Sequence, residues 1–115
     1  MIDRQKIYQK YGGRCAYCGK KIKFKKLQID HINPSYTKTR DRESNLNPSC
    51  RECNFWKLNH RIEDYRKRLQ KLDKYLAKRT AFKVGKNYGI LKTKKWEGTF
   101  YFEKEKIIDE VRGNK

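Results

Sequence analysis

Cys50-Arg51-Glu52-Cys53-Asn54-Phe55-Trp56-Lys57 is the second of two Cys-x-x-Cys elements, and Cys15-Ala16-Tyr17-Cys18-Gly19-Lys20 contains the first. Four thiolates in two such pairs suit a tetrahedral zinc ion with every coordination position filled, which makes the site structural rather than catalytic. Each pair can flank a tight turn, and Gly19 lets the backbone curl around the ion. Two disulfides or buried free thiols are the competing uses of the same residues. The segment between the pairs, residues 19 to 49, exceeds that of common zinc ribbons. The inserted residues are therefore where chemistry is sought.

The rest of the chain agrees with a small stapled domain. Of 115 residues, 36% are hydrophobic and 38% charged, so the core is thin and a metal would help it fold. The N-terminus, Met1 to Lys6, lacks the apolar stretch of a secretory signal, and no run reaches the length of a membrane span. The expectation is a soluble cytoplasmic protein, or a phage-encoded one acting inside its host, without a membrane partner. A reducing compartment favours metal binding by the cysteines over disulfides.

Lys and Arg number 31 against 13 Asp and Glu, a net charge of +18. So large an excess points to a polyanionic partner, and with the cysteine pattern to nucleic acid. It carries no information about which sequence is read.

Outward from the cysteines, Ile2, Ile7, Tyr8 and Tyr11 predict a short amphipathic helix over residues 2 to 11, stopped at Gly12-Gly13. Leu27 to His31 reads as a strand ended by Pro34, and Ser35 to Glu43 as a surface loop in which Lys38, Arg40 and Arg42 can reach phosphates. Ser49-Cys50-Arg51-Glu52 has the form of a capping box, predicting a helix that starts at Ser49 and runs to about Leu58. Ile62, Tyr65, Leu69, Leu72 and Leu76 mark a second helix over 61 to 79. Its basic face, including Arg66 and Lys67, is either solvated or tracks DNA. Lysines and aromatics alternate from Thr80 to Trp96, and Gly98 to Glu103 is rich in strand formers. The tail beyond, with Asp109, Glu110 and Gly113 to Lys115, is expected to fray. The chain divides accordingly into a zinc-stapled core, 1–60, and a basic helical extension ending in a short strand, 61–115.

Between the cysteine pairs stand Asp30-His31-Ile32 and Asn45, and Cys53 is followed directly by Asn54 with Lys57 three residues on. At these residues the sequence resembles the HNH endonuclease family, over roughly residues 13 to 60. The resemblance implies an α+β fold, a small ββα-metal (His-Me finger) core with a four-cysteine zinc site, carrying here an N-terminal helix and a helical and strand-forming C-terminal extension. It implies hydrolysis of phosphodiester bonds in DNA, double-stranded by expectation, leaving 5′-phosphate and 3′-hydroxyl ends. His31 would be the general base, and Asn45 would hold the loop through backbone hydrogen bonds.

The residue chemistry points the same way. Asp30 and Asn54 offer hard oxygen ligands suited to magnesium or manganese, and His31 can accept a proton near neutral pH. The family's last motif position is often His. Asn54 in its place makes an HNN variant and favours magnesium. Lys57 shares the helix face of Asn54 and is expected to contact phosphate, while Trp56 is expected on the zinc side. Taken singly, each of these residues could be ordinary solvent-facing polarity, and His60 reads as exposed or capping. The competing function is a non-catalytic zinc-ribbon module that binds nucleic acid. One active site cuts one strand, so double-strand cleavage would need a homodimer or rebinding. Phage or mobile-element machinery is the other expected setting.

Overall fold

The computed structural model describes residues 2–105. Two stretches of chain form separate compact units, one running to Ile62 and resuming at Thr99, the other spanning Glu63–Gly98. The expected tail beyond residue 105, with Asp109 and Glu110, lies outside the described residues.

The first unit is built on a two-stranded antiparallel sheet, β1 (Gln28–His31) and β2 (Leu46–Ser49), in which Asp30 opposes Asn47 and His31 opposes Leu46. Helix α2 (Arg51–Lys57) follows β2 directly and contacts β1. The β-β-α order and the mixed α+β class expected from the sequence are therefore present. Helix α1 (Arg4–Gln9) is capped by Asp3, whose side chain accepts from the Lys6 amide, and it buries Ile7. Three side chains tie this N-terminal segment to the core: Arg4 donates to the Leu27 carbonyl at 2.9 Å, Tyr8 to Ile22 at 2.7 Å, and Lys10 to Leu46 at 2.7 Å.

Ser49, expected to cap α2, does not. It closes β2, donates its hydroxyl to the Cys50 carbonyl, and leaves the cap to Cys50, whose sulfur accepts from the Cys53 amide at 3.4 Å. Glu52 therefore does not reach back, and pairs with Lys20 at 2.7 Å instead. The capping position requires an acceptor, and a sulfur that also faces its partner cysteines satisfies both needs. The strand expected at Gly98 to Glu103 is likewise replaced, because residues 101–105 are helical. Glu103 accepts from the Phe100 amide at 2.9 Å, the side-chain-to-backbone bond of a helix start.

That helical turn completes the first core. The Phe102 amide donates to Ala16 at 2.8 Å, and the Ala16 amide donates to Pro48 at 2.8 Å, so the first cysteine turn is held between β2 and the returning chain. Phe100 and Phe102 stand edge-on to Tyr17 at centroid distances of 5.6 and 5.9 Å. Burying these rings supplies apolar area that a chain this short of aliphatic residues otherwise lacks.

In the second unit the single helix predicted over 61 to 79 is two, α3 (Ile62–Gln70) and α4 (Leu72–Leu76). At Lys71 the backbone leaves helical angles (φ −103°, ψ 3°). Lys67, Arg68, Lys71 and Lys74 crowd like charges at spacings of three and four there, which weakens a continuous helix. Helix α5 (Thr80–Asn87) lies within the basic stretch, where Leu91 packs so closely on Gly85 that an added Cβ would meet its side chain at 2.6 Å.

Candidate active site and metal centre

The metal centre rests on two pieces of backbone. Cys15 and Cys18 lie in a turn closed by the Arg14–Lys21 bridge, where Gly19 takes φ +82° beneath the Tyr101 ring. Cys50 caps α2, and Cys53 lies in its first turn. The four sulfurs all lie within 4.8 Å of one another, and Cys18 Sγ is 3.9 Å from Cys50 Sγ. Zinc–sulfur bonds of about 2.3 Å set tetrahedral sulfur separations of about 3.8 Å, so the cluster fits zinc. Hydrogen bonds from Cys18 and Cys53 hold the Cys15 thiol far below its ordinary range, those of Cys53 to Cys15 and Cys18 push its own thiol far up, and burial pushes Cys50 up to about 11. A divalent cation would replace the thiol protons.

Asp30, His31 and Asn54 line one open cleft of about 380 Å³, with Arg40, Phe55 and Leu58 among its other walls. Consecutive strand residues face opposite ways in a regular strand, but β1 ends at His31, and both Asp30 and His31 reach this cleft. Asp30 is 5% exposed. Its Oδ2 accepts from the Tyr17 hydroxyl and from Lys57 Nζ at 3.0 Å, while its Oδ1 has no hydrogen bond among the described residues. Burial raises the Asp30 pKa, opposed by the Tyr17 hydrogen bond and the Lys57 charge. Burial and the Asp30 carboxylate together drive the Tyr17 hydroxyl well above the usual tyrosine range. Asn54, half-buried on α2, likewise has no side-chain hydrogen bond among the described residues.

Lys57 is placed otherwise than expected. Its side chain is 0% exposed, and its ammonium, 3.0 Å from Asp30 Oδ2, also donates to the His31 carbonyl at 3.0 Å. It therefore does not face a phosphate. Seven residues after Cys50 the helix has turned this position inward, toward the buried carboxylate of β1.

The loop following β1 is held by Asn45, which is 4% exposed. Its Oδ1 accepts from the Asn33 amide at 2.9 Å, and its Nδ2 donates to the Asn33 and Arg40 carbonyls at 3.1 and 2.9 Å. The same loop delivers Asp41, whose Oδ1 lies 2.8 Å from His31 Nε2. That hydrogen bond lowers the Asp41 pKa, with Arg40 adding to it. Lys38 and Arg42 are exposed on this loop, and Lys67 on α3. Arg66 is instead occupied by Glu63 and the Gly98 carbonyl. Trp56 and His60 are half-buried.

Tyr17 and Asp41 are the site residues that sequence reasoning missed. Tyr17 is visible there only as a residue between two cysteines, and Asp41 as one acid in a polar loop. Neither has a spacing that signals its partner.

Residues 15–61 match the family model described as HNH endonuclease. No curated protein and no solved structure matches the chain.

Proposed function

From the HNH endonuclease-family domain at residues 15–61, we propose that this protein is a metal-dependent endonuclease that hydrolyses phosphodiester bonds in DNA. The observation that carries the reading is the shared cleft of Asp30, His31 and Asn54, in which the Asp30 Oδ1 and the Asn54 amide oxygen lack protein donors among the described residues. Buried or half-buried oxygens are ordinarily satisfied. Two left free beside an imidazole are the hard donor set of a divalent cation with open positions.

A magnesium or manganese ion held by Asp30 and Asn54 would supply positive charge to a scissile phosphate oxygen and to the departing 3′ oxygen. The chain's own residues do the rest. Asp41 accepts from His31 Nε2, so this nitrogen carries the proton and Nδ1 presents its lone pair. His31 Nδ1 takes a proton from the attacking water, whose oxygen bonds to phosphorus as the bond to the 3′ oxygen breaks. The departing 3′ oxygen takes up a proton from solvent water, so the products are a 5′-phosphate and a 3′-hydroxyl end. Asn45 fixes the loop that carries Asp41, and Lys57 with Tyr17 fixes the Asp30 carboxylate. Zinc at the four cysteines would hold the first cysteine turn against α2. Arg40 at the cleft and the exposed Lys38, Arg42 and Lys67 contribute to holding the duplex, with Arg66 supporting it only after leaving Glu63.

The test is nicking of supercoiled plasmid by the chain and by His31→Ala, both purified with zinc retained, in magnesium, in manganese and without added divalent ion. Metal-dependent nicking lost in the variant supports the reading. Tight DNA binding without cleavage by the unsubstituted chain would leave a non-catalytic nucleic-acid-binding module.

A further inference from the structure

Residues 20 to 26 read Lys-Lys-Ile-Lys-Phe-Lys-Lys. Their lysines line a second open cleft, of about 590 Å³, together with Gln28 and Arg51. Lys20 is neutralised by Glu52, which lines the same cleft. Lys21, Lys23, Lys25 and Lys26 are exposed, and their side chains make no ion pair or hydrogen bond among the described residues. Four uncompensated cations within six residues repel one another, a cost that a bound polyanion removes.

The two clefts share no lining residue but draw on the same two elements, β1 and α2. Gln28 at the start of β1 lines the basic cleft, while Asp30 and His31 at its end line the other. On α2, Arg51 lines the basic cleft and Asn54 and Phe55 line the second, joined by Leu58 just past the helix end. Positions three and four residues after Arg51 fall on its own helix face, and Gln28 and Asp30 share a strand face. Each of these two elements therefore contributes residues to both clefts. Three strand steps separate Gln28 from His31, about 10 Å, a span short enough for one DNA backbone to cross from one cleft to the other.

We propose that the basic cleft of Lys21, Lys23, Lys25, Lys26 and Arg51 is an anchoring subsite for the sugar-phosphate backbone of the DNA being cut, gripping phosphates to one side of the scissile bond. It rests on the nuclease reading and adds to it the surface that registers the strand over the reacting groups.

The experiment measures binding of a labelled short DNA duplex by anisotropy across a range of salt concentrations, using His31→Ala protein with zinc retained. Replacing Lys21, Lys23, Lys25 and Lys26 together by Gln is expected to make the slope of log affinity against log salt less negative by up to about 3.6, at near 0.9 for each phosphate no longer neutralised. All four side chains are exposed, so the variant is expected to melt with its parent. A control that replaces Lys83, Lys92, Lys94 and Lys95 by Gln removes the same formal charge and is expected to change the slope by less than about one. An unchanged slope in the cleft variant, or an equal change in the control, overturns the subsite. Plasmid cleavage by the chain with His31 intact is read separately, so its absence would overturn the nuclease reading without altering the slope comparison.

Discussion

His31 Nε2 lies 2.8 Å from Asp41 Oδ1, so an exposed loop carboxylate ten residues downstream fixes the imidazole ring. The pair places a hydrogen-bond acceptor on Nε2, the nitrogen that carries the proton in the proposed mechanism. Replacing Asp41 by Asn keeps the side-chain shape but permits the opposite tautomer. The expected result is a kcat for plasmid nicking reduced roughly tenfold to a hundredfold, the usual cost of losing an orienting partner, with KM nearly unchanged. A rise in KM alone would mean that Asp41 contacts DNA and does not orient the base.

Lys57 and Asp30 form a buried ion pair. Lys57→Met leaves the carboxylate without its cation and is expected to destabilise the chain by about 3–5 kcal/mol. Asp30→Asn in the same chain removes the orphaned charge and is expected to recover a large part of that loss, which a double-mutant cycle of urea unfolding measures. Additive losses would show that the pair does not couple.

Tyr17 shows its environment in the alkaline range. Its folded pKa is raised, first by burial and then by the Asp30 charge. The stability tied to its protonated form is therefore complete below the unfolded tyrosine value of about 10 and is lost as pH climbs above it. In a spectrophotometric titration one tyrosine is expected to ionise only with unfolding, and Tyr17→Phe is expected to remove that late component.

Zinc removal is expected to unfold the first unit. Apparent binding energies of structural zinc, about 10–16 kcal/mol in small zinc modules, match or exceed the whole stability of a typical domain. Metal analysis should find one zinc per chain, and a strong chelator should abolish the near-ultraviolet circular dichroism of the Tyr17, Phe100 and Phe102 cluster. Retention of that signal after zinc is gone would show that the aromatic core suffices by itself.

The residues alone determined what spacing can encode. The two cysteine pairs, the Asp30-His31 pair, Asn45 and Asn54 are chemical types at fixed intervals, and the apolar rhythm of residues 2 to 11 is enough to place α1. Tertiary structure decided what depends on residues far apart in the chain. Phe100 and Phe102 have the composition of a strand, but become the far wall of Tyr17 once the backbone of residue 102 bonds to Ala16. Lys57 looks like one more of 31 basic residues until α2 packs on β1 and turns it onto Asp30. Asp41 acquires a partner only when Asn45 folds the loop back over His31. Periodicity records which face of an element is apolar. The pairing of a buried charge is set by the packing of elements against one another, and no local pattern specifies it.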